Sequence, residues 1–112
     1  MKLKLGFFLS LLLVSCQPSY AALHDSTQMC LLHADFANTT MEARQYGVSK
    51  TKLISILHEE NKSVSVDKEI INVYEAIIDD AYKQPIVPYE ETKQSLINSF
   101  SNAVYNLCKK EY

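Results

Sequence analysis

The spacing of two cysteines constrains the fold of this chain more than any other feature. Cys30 and Cys108 are 78 residues apart and lie near the two ends of the region that carries helical patterns. A disulfide between them would tie both ends of that region together, so the first and last helices would have to lie side by side. The alternative is two unrelated buried thiols, which belong to a reducing compartment.

The beginning of the chain has the pattern of an export signal. Lys2 and Lys4 provide a positive start, and residues 5–16 are almost entirely apolar. These twelve residues are too few to span a bilayer as a helix, since a spanning helix takes about 20. Pro18 and other polar residues then close the segment, as in a signal peptide. The pattern predicts export rather than a buried core helix.

Two cleavage sites compete at the end of this segment. The letters LVSC, which end at Cys16, resemble the bacterial lipobox, in which the cysteine is lipidated and becomes the mature N-terminus. The letters SYA, which end at Ala21, place small residues where ordinary signal peptidase requires them. We favour the lipobox, with residues 1–15 removed and Cys16 holding the protein at the outer membrane, on its periplasmic side. The alternative is removal of residues 1–21 and a soluble periplasmic domain.

Cysteine number agrees with export by either route. The chain has three cysteines, and removal or lipidation of Cys16 leaves Cys30 and Cys108 as one pair. The remaining chain, residues 22–112, is long enough for a single domain with one modest core. The sequence therefore predicts one disulfide-bonded domain in an oxidising compartment.

Charge and missing motifs exclude several functions. Without Lys2 and Lys4 the chain has nine basic and thirteen acidic side chains, a net charge of −4, which argues against nucleic acids and anionic membrane surfaces as partners. Gly47 is the only glycine after residue 21, so a glycine-rich phosphate loop is excluded. The chain also lacks the G-x-S-x-G, H-E-x-x-H and C-x-x-C motifs. We expect no catalytic residues, no cofactor and no metal site.

Capping residues and helix breakers divide the rest of the chain into four helices. The residues that mark starts and stops are Asp25, Gly47, Ser49, Asp67, Pro85 and Pro88. Gly47 is predicted to take the left-handed position that ends the first helix. The second helix is short and ends near residue 61, and the third and fourth have strongly apolar faces. The fold class predicted is all-α, a four-helix bundle-like domain with a short second helix.

The cysteine pair also predicts how two of these helices pack. Cys30 lies early in the first helix and Cys108 late in the fourth, so the two helices should be antiparallel. If Cys30 lies opposite Cys108 in an antiparallel pair of helices, Met41 lies near Ile97. An up-down-up-down arrangement satisfies this with short connections.

Arg44 is the only arginine of the chain and falls within the apolar sector of the first helix. A charge in that position needs a carboxylate or several carbonyls, because an unpaired buried charge is very costly. The predicted partners are Asp79 and Asp80 of the third helix, which would make a structural ion pair between helices. The alternative is an anion-binding or partner-binding arginine.

His33 follows Cys30 by three residues, which is the spacing of a Cys-x-x-His pair. Such a pair can serve as a nucleophile with its base or as half of a metal site. No second ligand pair follows at metal spacing, and the disulfide uses the cysteine. We therefore interpret His33 as a structural histidine.

Three segments resemble a loose set of small exported two-cysteine helical proteins of gammaproteobacteria. These segments are MEARQYGVSK, AYKQP and a late VYNLC, which contain the patterns A-R-x-x-G-x-S and A-Y-x-x-P and the last cysteine. The resemblance covers most of the chain from Met29 to Cys108. It implies a helical fold and export from the cytoplasm, and no activity.

The sequence is consistent with three functions. The first is a non-enzymatic protein-binding module of the cell envelope, an inhibitor or immunity-like protein whose partner is another envelope or secreted protein. Small periplasmic immunity proteins against cell-wall amidases share the size, the helices and the export signal, which is an architectural analogy only. The second is an acid-activated periplasmic chaperone, which would loosen as its carboxylates are protonated. The third is a small enzyme, which the missing motifs disfavour.

Overall fold

Four helices contain most of the residues that the structure describes, which are 27–63 and 67–111 of a computed structural model. In chain order they are α1 (Met29–Gln45), α2 (Lys50–Ser63), α3 (Lys68–Tyr82) and α4 (Glu90–Glu111). Within those two ranges there is no strand. The all-α class and the four helices are confirmed. The predicted signal peptide, Cys16, Ala21 and the Asp25 cap lie outside the described residues.

Two of the predicted caps start their helices through side-chain hydrogen bonds. The Ser49 hydroxyl accepts a hydrogen bond from the backbone N–H of Lys52, at 3.1 Å, at the start of α2. The Asp67 carboxylate accepts one from the backbone N–H of Glu69, at 3.3 Å, at the start of α3. Each bond satisfies one of the N–H groups that a helix leaves without an internal partner.

Gly47 ends α1 with a φ of +89°, in the left-handed region where a Cβ is strained. The Gly47 N–H donates to the Arg44 carbonyl, at 3.3 Å, and the Val48 N–H donates to the Ala43 carbonyl, at 2.9 Å. These are the two hydrogen bonds of a Schellman motif. Only four residues separate the end of α1 from the start of α2.

The disulfide between Cys30 and Cys108 is confirmed and joins the start of α1 to the end of α4, with the two Cα atoms 5.5 Å apart. The helices are antiparallel along their whole contact. Near its middle, the Ser101 hydroxyl donates to the Ala34 carbonyl, at 2.8 Å. Farther along, Met41 and Ile97 meet in one buried cluster, which is the predicted register.

Helix α1 is the centre of the packing. It packs closely against both α3 and α4, and α2 packs closely against α3. Two buried clusters hold these contacts together: Met41, Ala81 and Ile97 in one, and Leu57, Ile71 and Ile78 in the other. Neither α1 with α2 nor α3 with α4 forms a closely packed pair among the described helices. The arrangement is therefore more open than the predicted bundle.

The open arrangement leaves part of the apolar faces of α3 and α4 exposed to solvent. On α3, Val73 belongs to the apolar face but is 39% exposed, and on α4 Leu107 is 63% exposed. Ile97 is buried on α4, whereas Ala103 of the same apolar face is exposed. Since α4 packs closely on one helix only, a narrow stripe of its apolar face is covered.

Candidate functional site

Two open grooves lie on either side of the central helix. The first, the α1–α2 groove, encloses a volume of 440 Å³. Six side chains of the described part of the chain form its largely apolar walls: Leu32, Phe36, Leu53, Ile56, Leu57 and Tyr74. Leu32 on one wall and Ile56 on the other are 52% and 43% exposed. Large apolar side chains therefore face solvent on both sides of a concave surface.

Aromatic stacking forms one side of this groove. The rings of Phe36 from α1 and Tyr74 from α3 are parallel within 8° and their centroids are 4.1 Å apart. Both rings pack against the cluster of Leu57, Ile71 and Ile78. The groove is open because α2 packs closely on α3 and not on α1, so the α1 face that bears Leu32 is left uncovered.

The rim of the α1–α2 groove is acidic. Asp35 contributes one carboxylate from α1, and Glu60 contributes another from α2. Among the described residues that line the groove there is no lysine, arginine or histidine. Neighbouring acidic side chains have partners, since Glu59 pairs with Lys62 at 3.1 Å and Glu75 pairs with His58 at 2.7 Å. Within residues 27–63 and 67–111, neither Asp35 nor Glu60 takes part in an ion pair.

The second groove lies between α3 and α4 and encloses 170 Å³. Its walls include Val73, Ile77 and Leu107, with the carboxylates of Asp80 and Glu111 among its lining side chains. His33 of α1 also lines it, beside the disulfide.

His33 is a buried histidine, 5% exposed, as expected for a structural role. Its Nδ1 lies 3.6 Å from the Cys108 sulfur, and its ring packs edge-on against Tyr74, with centroids 5.4 Å apart. The Nε2 atom has no hydrogen-bond partner among the described residues. Burial lowers the pKa of His33 below its ordinary 6.5, so the ring is neutral at neutral pH.

The Cys-x-x-His spacing does not produce a nucleophile. The Cys30 sulfur is bonded to Cys108, so it has no thiol for His33 to activate. In the part of the chain that the structure describes, no group of three histidine, cysteine, aspartate or glutamate side chains is placed to hold a metal ion.

Arg44 does not contact the carboxylates predicted as its partners. Its Nε donates to the Gln84 carbonyl, at 2.9 Å, and its guanidinium carbon lies 5.2 Å from the centre of the Tyr82 ring. Asp79 pairs instead with Lys50, at 2.8 Å, and Asp80 with Lys83, at 3.5 Å. Arg44 therefore joins helices through a loop carbonyl and an aromatic face, which satisfy a half-buried guanidinium.

Gln45, the next residue, is the polar side chain that the sequence analysis missed. It is 2% exposed and binds the loop between α3 and α4 from both ends of its amide. Its Nε2 donates to the Pro85 carbonyl, at 2.8 Å, and its Oε1 accepts from the Val87 N–H, at 2.9 Å. We call these contacts, with that of Arg44 to Gln84, the loop clamp. The available signal was spacing, since Gln45 follows His33, Ala37 and Met41 at intervals of four.

Comparisons with known proteins give this chain no relatives. No protein-family model, no curated protein and no solved structure matches it. No helix among residues 27–63 and 67–111 combines the length and hydropathy needed to cross a bilayer. The resemblance to small exported proteins of gammaproteobacteria stays a prediction.

Proposed function

We propose that this protein is a non-enzymatic protein-binding module of the bacterial cell envelope, with an inhibitor-like or immunity-like action through steric contact. The observation that carries the proposal is the α1–α2 groove, with Leu32 and Ile56 exposed on its two sides. Exposed apolar side chains gathered in a concave surface are typical of interaction sites, whereas single scattered ones are not.

The contacts that hold the walls of the groove in place favour binding through steric contact. The disulfide ties α1 to α4, and the loop clamp ties the end of α1 to the segment that follows α3. The other wall, α2, is held by its packing on α3. A surface fixed in this way loses little conformational entropy when a partner binds. Such a surface suits an inhibitor, which blocks its target by occupying space.

The proposed location is the Gram-negative periplasm. The protein is either anchored to the outer membrane by a lipid on Cys16 or free in the periplasm after cleavage at Ala21. The proposed partner is another envelope or secreted protein. Membrane contact is limited to the lipid anchor, and neither nucleic acid nor a cofactor takes part.

The test of this function is partner capture by protein expressed in its own cells. We expect the chain, purified from the envelope fraction, to retain one protein in stoichiometric amount and to bind it saturably once that partner is purified. The mass of the recovered chain reports its N-terminus, either lipidated Cys16 or Ala22. Failure to retain any protein from envelope and culture medium under native conditions would contradict the proposal.

A second candidate function, an acid-activated chaperone, is favoured by one observation. His33 is buried, its Nε2 has no hydrogen-bond partner in residues 27–63 and 67–111, and burial lowers its pKa, so its protonation opposes the folded state. Acidification would therefore loosen the contact between α1 and the disulfide end of α4, and enlarge the exposed apolar surface.

The pH dependence of stability tests this second candidate. Below pH 6.5 the unfolded chain binds a proton at His33 that the folded chain does not, so stability is lost as the pH falls. One such group contributes a slope of at most about 1.4 kcal/mol per pH unit. We expect urea unfolding between pH 7 and pH 5 to show this slope, with increased binding of the dye ANS at the acidic end.

The matched variants are His33→Phe and His58→Gln. The charged side chains that line the groove with His33, Asp80 and Glu111, are unchanged in both variants. His33→Phe should therefore remove the slope due to His33 alone, and His58→Gln, a histidine replacement that leaves His33 in place, should retain it. Identical profiles for the wild type and His33→Phe would rule out His33 as an acid sensor.

A further inference from the structure

We propose that the α1–α2 groove binds an amphipathic helix of another protein that carries two or three large apolar side chains and a cluster of lysine or arginine at one end. This inference rests on the proposed protein-binding function and specifies the chemistry of the partner. It is drawn from the dimensions of the groove, the exposure of its walls and the placement of its two carboxylates.

The dimensions of the groove fit two turns of helix. On α1 the lining residues extend from Leu32 to Thr40, and on α2 from Leu53 to Glu60. At a rise of about 1.5 Å per residue, these stretches are about 10–12 Å long. An amphipathic helix that presents apolar residues at i, i+4 and i+7 covers about the same length. The volume of 440 Å³ lies within the range of pockets that bury several large groups.

The charge of the described lining residues lies in one half of the groove. Asp35 lies ten residues before the end of α1, and Glu60 lies ten residues after the start of α2. Since a short loop joins those two helix ends, both carboxylates lie in the half of the groove that is farther from the loop. Polar but uncharged side chains, Thr39 and Thr40, lie closer to the loop. A partner helix with basic residues at one end would match this polarity.

The same carboxylates argue against a second copy of this chain as the occupant. A symmetric pair with the two grooves parallel would bring Asp35 and Glu60 of one copy onto the same residues of its partner. An antiparallel pair would place them against apolar or threonine side chains, with no basic group among the described lining residues to pair with them. Like charges placed together in a contact from which water is removed are strongly unfavourable. The chain as a whole is also acidic, with a net charge of −2.

The probes are synthetic helical peptides with leucines at i, i+4 and i+7 and a pair of lysines at either the N-terminal or the C-terminal end. Matched peptides carry glutamates in place of the lysines. Fluorescence anisotropy with the disulfide-bonded protein measures each Kd at low and moderate ionic strength. We expect one of the lysine peptides to bind about tenfold more tightly than its glutamate match, with a preference that weakens as salt is added.

Charge-reversal variants test the placement of that preference. The double variant D35K/E60K should favour the glutamate peptide, while the control E42K/E69K, whose two carboxylates are exposed outside the groove, should retain the wild-type preference. Ile56→Asp should weaken both peptides at least tenfold, because it places a charge on the apolar wall. Circular dichroism of each variant verifies that it is folded.

Several results would overturn the inference. Equal affinities for lysine and glutamate peptides, or an unchanged preference in D35K/E60K, would show that the rim does not select charge. Sedimentation of the wild type as a dimer that Ile56→Asp dissociates would assign the groove to a second copy. An envelope partner retained equally by the wild type and by Ile56→Asp would uphold the protein-binding function and reject this groove. The absence of any envelope partner would reject the protein-binding function. The peptide measurements test only whether the groove binds a basic amphipathic helix.

Discussion

Replacing both Cys30 and Cys108 by alanine is expected to lower the free energy of unfolding by about 4.5 kcal/mol, the largest effect of any change considered for this protein. In the chain-entropy model, a cross-link that closes a loop of 78 residues removes that much conformational freedom from the unfolded chain. A small domain has only about 5–10 kcal/mol in total. Without the disulfide, a large fraction of molecules should be unfolded at 37 °C.

Urea unfolding monitored by circular dichroism measures this effect. The design compares oxidised wild type, wild type with reductant, and the double alanine variant with and without reductant. Reduced wild type and the variant should agree closely, which separates the cross-link from the small volume that alanine leaves at the buried Cys30. Reductant should have no effect on the variant. Similar urea midpoints for oxidised and reduced wild type would show that packing, rather than the cross-link, holds α1 to α4.

The sequence was sufficient to predict the helices because their ends are marked by local chemistry. Ser49, Asp67 and Gly47 each act through hydrogen bonds to residues within five positions along the chain. The disulfide and the α1–α4 register were also predictable, since one covalent bond between known positions fixes the direction of two helices. Such features depend on neighbours in sequence or on a single long-range constraint.

The grooves were not predictable because periodicity gives each helix an apolar face without saying which helix covers it. Val73 and Leu107 lie on the apolar faces of α3 and α4, yet both are substantially exposed. Leu32 and Ile56 are likewise exposed, because α1 packs on α3 and α4 and α2 packs on α3, but α1 and α2 do not pack closely on each other. The pairing depends on how the short loops direct each helix, which a single sequence does not encode in any local pattern.

Arg44 shows the same limit for polar contacts. Sequence position correctly required a partner for its guanidinium but did not distinguish a carboxylate from a carbonyl. The loop after α3 brings the Gln84 carbonyl to 2.9 Å from the Arg44 Nε, and the aspartates of α3 are paired with Lys50 and Lys83. Every residue has a backbone carbonyl, so no sequence motif indicates which one Arg44 binds. Predicting this contact would have required the conformation of the loop after α3.

Gln45→Ala is expected to cost about 3 kcal/mol of stability, more than the change at Arg44. The side chain of Gln45 is almost fully buried, and its loss leaves the Pro85 carbonyl and the Val87 N–H without their partners. Each lost hydrogen bond costs about 0.5–1.5 kcal/mol, and the cavity left by so deeply buried a side chain adds to that loss. Arg44→Ala should cost only about 1 kcal/mol, because the half-buried Gln84 regains water when Arg44 is removed.

Thermal and urea unfolding give the two losses, and hydrogen exchange identifies their cause. In Gln45→Ala the Val87 amide should exchange much faster than in the wild type, since it loses the acceptor that protects it. Gln45→Met retains the volume of the side chain but neither hydrogen bond, so it should keep the packing energy and still lose about 1–3 kcal/mol. The exposed Glu42→Ala on the same helix should change stability by less than about 0.5 kcal/mol. If Gln45→Met were as stable as the wild type, the hydrogen bonds of the loop clamp would contribute little, and Gln45 would stabilise the end of α1 by packing against Met41 and the loop.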